Sequence, residues 1–227
     1  MPKHPDAAHQ VTSLSRRIRF RGQIAGIGSV SGVRIVLGRW VDSPWGAFGD
    51  AMVERSDGHR VLLAPDATVA QFVAATYEFD EIRMQPFAVT RSGDGPGATW
   101  QVRSDSLHLD LTVGLPSALG PLLALVPVAV ARATWWCVVT DLVARVFLRG
   151  VRTRGETATR REWYGATGNR RITHMSGTFD GADLGALARV TPPPRFGFSA
   201  TPPRSSVTDI VTTVELGFSD PEHLLGS

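Results

Sequence analysis

Leu107, Leu109 and Leu111 alternate with His108, Asp110 and Thr112. Successive side chains therefore fall on opposite sides, and only a strand with one buried face accommodates that period. Compact β-rich runs return at Gly32–Trp40, Ala47–Glu54, Arg60–Ala64, Glu81–Thr90, Thr99–Arg103 and Ser206–Leu216. Two more, Trp163–Ala166 and Arg170–Phe179, flank a Gly168-Asn169 turn. Between these runs stand turn signals such as Ser56-Asp57-Gly58 and Asp180-Gly181, which favour antiparallel hairpins over crossovers. Helical periodicity is scarcer. Val69, Phe72, Val73 and Thr76 share one face after a Pro65-Asp66 start, Leu115–Leu148 reads as two helices broken near Pro127 or Arg132, and Leu184 and Leu187 suggest a short third segment. The expected fold is α+β: a strongly curved, largely antiparallel sheet or barrel capped by about three helices.

A chain of 227 residues with 43% apolar content can bury a sizeable core without a second domain. The sequence assigns 1–22 to a flexible amino-terminal arm, 23–218 to a single domain and 219–227 to a tail. Cys137 is the only cysteine, which excludes an internal disulfide, and its apolar neighbours suit a buried thiol. Met1–Gln10 has no apolar signal core, so a cytoplasmic location is expected. Val113–Ala131 carries no charge, but Pro116, Pro121 and Pro127 remove three backbone donors, which argues against a membrane span. The segment reads instead as a buried helix, a lid or an interface element.

Net charge is only +3, so composition gives little reason to expect nucleic acid. If such a role existed, Arg16, Arg17, Arg19 and Arg21 would carry it. The six histidines are scattered without ligand spacing, and no metal or cofactor is expected. Gly22–Gly32 lacks both a phosphate-loop lysine and dinucleotide-fold spacing, and reads as a flexible connection.

The most distinctive stretch is Arg39–Glu54, RWVDSPWGAFGDAMVE. It places Phe48, Asp50 and Met52 on one side of a strand. If that side faces the inside of a barrel, Asp50 is a carboxylate among apolar groups. Such a carboxylate is costly unless paired or protonated, and it is then suited to general acid or base chemistry. Arg34 or Arg39 is the candidate partner. His108 and His174, each in a β-run, are further candidates to line the pocket, and Arg195 and Arg204 to hold a carboxylate.

The run SPWGAFGDAMV resembles the S-P-x-G-x-Y-x-E segment of acetoacetate-decarboxylase-like proteins. Ser43, Pro44 and Gly46 match the turn, Phe48 stands for the tyrosine and Asp50 for the glutamate. The resemblance implies a double-cone sheet around an apolar cavity. It does not carry over the family's chemistry, because active members use a lysine from a later strand. Lys3 is the only lysine among 24 basic residues here, and arginine cannot replace it as a Schiff-base former.

The sequence therefore points to a small, mostly apolar ligand, with or without a carboxylate, held in an enclosed pocket lined by Arg34, Arg39, Phe48, Met52, His108 and His174. Asp50 is the candidate catalytic group. Any turnover would be lyase- or isomerase-like without a covalent lysine, and a homo-oligomer is compatible with all of this. The alternative is a non-catalytic interaction protein that docks on a partner or membrane surface through residues 113–131.

Overall fold

The structure is a computed structural model and describes residues 16–117, 154–156, 160–197 and 201–216. The chain enters through β1 (Arg16–Ser29), which turns at Gly32 into β2 (Arg34–Asp42) and then into β3 (Phe48–Glu54) and β4 (Arg60–Ala64). β4 leads to α1 (Ala67–Ala74) and β5 (Glu81–Met84), followed by β6 (Phe87–Ser92), β7 (Thr99–Ser104) and β8 (Leu107–Pro116). After β9 (Arg154–Glu156) come the long β10 (Arg160–Phe179), the short β11 (Ala182–Asp183) and β12 (Leu187–Ala188), and β13 (Ser206–Leu216). All of these strands join one sheet with the path β5-β4-β3-β2-β1-β13-β10-β8-β7-β6.

Two connections shape that sheet. β4 and β5 are parallel neighbours, and a parallel pair needs a crossover. α1 supplies it and is thereby laid on one face of the sheet. β5 and β6 stand at opposite ends of the strand path yet only Gln85 and Pro86 separate them in sequence, so the sheet must curl until its ends meet. Pro86 has no N–H to continue the ladder, which is why the single run expected over Glu81–Thr90 splits into two strands. Gln85 fastens the corner through Nε2 to Ser104 Oγ at 3.0 Å. The result is a strongly curled half-barrel.

The inside of the curl holds the main core. Leu37, Val53 and Leu63 from β2–β4 meet Trp100, Val102 and Leu109 from β7 and β8, all at most 1% exposed. Gly49 allows this closure, since a Cβ there would press on Val89 and Phe87 of β6. The inner face of the curl, expected to line a hollow inside a barrel, thus carries the main core.

Other expectations are also corrected. Only α1 is helical among the described residues, so the cap of about three helices is not borne out; residues 118–148 of the expected helical pair lie outside them, and Leu115–Pro116 end β8. Leu184 and Leu187 are not helical. Gly181 and Gly185 have φ of 76° and 69°, Leu184 N–H bonds to Gly177 O, and Leu187 pairs with Ser29. Trp163–Ala166 and Arg170–Phe179 form one continuous strand, with a bulge near Gly168 where a turn was expected. Residues 16–22, assigned to the flexible arm, pair with β13, and Arg21 and Gly22 pair with β2 as well. The glycines of β1 serve close packing rather than flexibility: a Cβ at Gly28 would overlap the backbone of Arg189, and one at Gly26 would meet Thr201.

Candidate functional site

β2 and β3 pair so that Val36, Gly38 and Trp40 stand opposite Met52, Asp50 and Phe48. Paired residues project from the same face. Ala51 and Val53, one step out of phase, point into the main core. The Asp50 face is therefore the outer one, on the side where α1 lies. β1 and β13 extend this face with Phe20 opposite Thr212, Ile18 opposite Val214, and Ile24 opposite Gly38.

Gly38 makes the central arrangement possible. The Asp50 carboxyl lies over its Cα, and a Cβ there would run into Asp50 Oδ1 and the Trp40 indole nitrogen. Across this gap Trp40 Nε1–H donates to Asp50 Oδ1 at 2.9 Å. It is the only hydrogen bond the carboxyl receives among the described residues, and Oδ2 has none.

α1 roofs the arrangement. Asp66 caps its first turn by accepting from Val69 N–H at 2.9 Å, and Val69 and Ala70 pack down on Leu62 and Ala64 of β4. Phe72 reaches further and sets its ring centroid 5.0 Å from Phe20 and 4.9 Å from Trp45. Phe20 in turn meets Trp40 edge-on at 5.6 Å, a favoured aromatic geometry. A cavity remains between roof and sheet, lined by Phe20, Trp40, Phe48, Met52, Phe72, Tyr77 and Thr212 around Asp50. The centre of a water-sized sphere can occupy about 60 Å³ of it, room for about five water-sized groups.

Within this cavity Asp50 is 6% exposed. Burial among apolar groups pushes its carboxyl up from 3.8 to about 6, and the Trp40 hydrogen bond opposes that rise. At neutral pH the carboxylate still predominates. No cationic side chain lines the cavity among the described residues to neutralise it. Thr212, 4% exposed, adds a buried hydroxyl with no hydrogen-bond partner. Buried polar atoms without partners are uncommon, and one beside a carboxyl that accepts a single hydrogen bond marks this cavity as unusual.

The structure brings Phe48, Asp50 and Met52 together at this cavity but not the other residues named from sequence. Arg34 is buried and bonded through Nη2 to Glu54 Oε1 at 3.1 Å and through Nη1 to Pro192 O. Arg39 is on the opposite face, opposite Gly49, and donates to Gln23 Oε1. Neither is the partner of Asp50; an indole is. His108 and His174 are exposed, and the neighbour of His108, Asp110, is taken by Arg103 at 2.8 Å. They are removed from the cavity because Leu107, Leu109 and Met175 point inward from the same strands. Arg195 is 77% exposed on its side chain, and its backbone N–H donates to the buried Glu54 at 2.6 Å, so it secures the proline-rich loop. Arg204 is exposed.

Sequence reasoning missed Trp40, Gly38, Phe20, Phe72 and Thr212 as site residues. The alternation Ile210, Thr212, Val214 in the last strand was the available signal for a hydroxyl on an apolar face. Among the described residues no group of His, Cys, Asp and Glu is arranged to hold a metal, and no helix is long and apolar enough to cross a membrane. Beyond Leu115–Ser117, the uncharged segment through Ala131 lies outside the described residues. In comparisons with known proteins the chain matches no family model, no curated protein and no solved structure.

Proposed function

We propose that the chain binds a small, mainly apolar organic molecule between the outer face of β1–β3 and α1, with Asp50 as the polar group that orients it. The observation that carries this reading is the Asp50 carboxyl, buried under an aromatic roof with one oxygen unbonded. A fold does not keep such a group for stability, since desolvating it costs free energy. Pockets of this composition, apolar with a few placed polar atoms, are the usual form of small-molecule sites.

A carboxyl that titrates near 6 can also exchange a proton at physiological pH, so acid or base chemistry on the bound molecule belongs to the proposal. Schiff-base decarboxylation does not, because no lysine lines the cavity among the described residues. The resemblance of Ser43–Val53 to acetoacetate-decarboxylase-like proteins supports the idea of a curved sheet beside an apolar pocket and contributes nothing to the chemistry. A carboxylate ligand is disfavoured by Asp50 itself.

The test uses the full chain, isotope-labelled for NMR. Small neutral, cationic and anionic molecules are titrated while the Trp40 indole N–H resonance and the melting temperature are followed. Binding to the folded state should move the resonance and raise the melting temperature together. A Met52→Trp variant, which fills the cavity, should show neither response. If no class of molecule perturbs the wild-type indole, the proposal fails.

A further inference from the structure

The cavity's chemistry selects among small molecules by charge. Five aromatic side chains, Phe20, Trp40, Phe48, Phe72 and Tyr77, line it together with one carboxylate, Asp50, among the described residues. Aromatic faces carry partial negative charge and attract cations, most strongly where water is excluded. Asp50 Oδ2 lacks a donor, and the Thr212 hydroxyl lacks any partner. The two arginines that the sequence offers as partners for Asp50 are committed elsewhere, Arg34 to Glu54, and Arg39, on the far face, to Gln23. A ligand that completes this site must bring positive charge and N–H donors on a short apolar body.

We infer that the ligand is a small primary or secondary alkylammonium ion, its N–H donating to Asp50 Oδ2 and its alkyl part held among the aromatic rings. The inference rests on the proposed binding function and narrows it to one chemical class. A neutral alcohol would supply one donor and leave the carboxylate charge uncompensated. An anion would meet Asp50 directly. Size agrees as well, since room for about five water-sized groups admits an ammonium with a short chain.

The series n-butylamine, n-butanol, n-pentane and pentanoate keeps shape nearly constant while changing charge. Affinities are read in sealed tubes from the Trp40 indole N–H resonance, on wild type and on Asp50→Asn. In wild type at neutral pH, butylamine should bind about tenfold or more tightly than butanol or pentane, as a charge-assisted hydrogen bond does against a neutral one. In Asp50→Asn that advantage should disappear while pentane binding persists, which also shows that the variant is folded. Butylamine affinity should rise as pH increases to about 6 and level off above it, because the amine stays charged while Asp50 ionises. Tyr77 is the only other titratable side chain lining the cavity among the described residues, and a phenol does not change charge in that range. Pentane or pentanoate binding as tightly as butylamine would overturn the ammonium assignment and leave the cavity a general apolar site. If none of the four binds, the proposed function falls and this inference with it.

Discussion

Replacing Asp50 with Asn should stabilise the protein at neutral pH. Burial raises the Asp50 carboxyl from 3.8 to about 6. At about 1.36 kcal/mol per unit, ionising it in the folded chain costs about 3 kcal/mol more than in the unfolded chain. Because the folded state holds this proton more tightly, the contribution of Asp50 is most favourable below about pH 4, diminishes as pH rises through about 6, and is constant above that. Other carboxyls slope the opposite way. Asp80 and Glu81 are held below the ordinary range by hydrogen bonds from Arg60 and Arg83, and lose stabilisation as pH falls. The difference between wild type and Asp50→Asn cancels those groups and isolates Asp50. Urea unfolding of both proteins from about pH 4 to about pH 7.5 should show the variant gaining on wild type by up to about 3 kcal/mol across that span. A difference that stays constant, or that moves in favour of wild type as pH rises, would refute the reasoning.

Three further substitutions test the frame around the site. Gly38→Ala should displace the Asp50 carboxyl from the Trp40 indole at a cost of about 1–3 kcal/mol in urea unfolding, with the indole N–H resonance moving as its hydrogen bond is lost. Glu54→Ala leaves the buried Arg34 guanidinium and the Arg195 N–H without their acceptor and should cost about 3–5 kcal/mol in the same assay, whereas Arg195→Ala, at an exposed side chain, should cost under about 1 kcal/mol. Asp66→Ala removes the cap of α1, costs about 1 kcal/mol, and should speed hydrogen exchange at the Trp40 indole by loosening the roof.

The local pattern of the sequence was enough to place much of the sheet. Arg60–Ala64 and Ser206–Leu216 are strands over those same residues, and the alternation around Asp50 put Phe48, Asp50 and Met52 on one face. What local pattern could not supply was which face became the core. That choice depends on the curl, and the curl follows from β5 and β6 being sequence neighbours at opposite ends of the strand path. The Asp50 face therefore came out beneath α1 rather than inside a barrel. Long-range approach also hid the meaning of the glycines in β1, since what crowds them comes from Arg189 and Thr201, distant in sequence. Charge complementarity misled in choosing a partner for Asp50. Arg39 is one residue from Trp40, and strand alternation sends one to each side. Thr212 escaped notice because only the β1–β13 register, Phe20 against Thr212, brings it to the site.

The direct test is a titration of the Asp50 carboxyl carbon by NMR, assigned against Asp50→Asn, with and without saturating n-butylamine. Alone, the carboxyl should titrate near 6, as burial without a cationic partner requires. With the amine bound, its midpoint should fall, because an adjacent positive charge favours the ionised form. A midpoint near 3.8 under both conditions would mean that Asp50 is solvated and that no ligand site has been built around it.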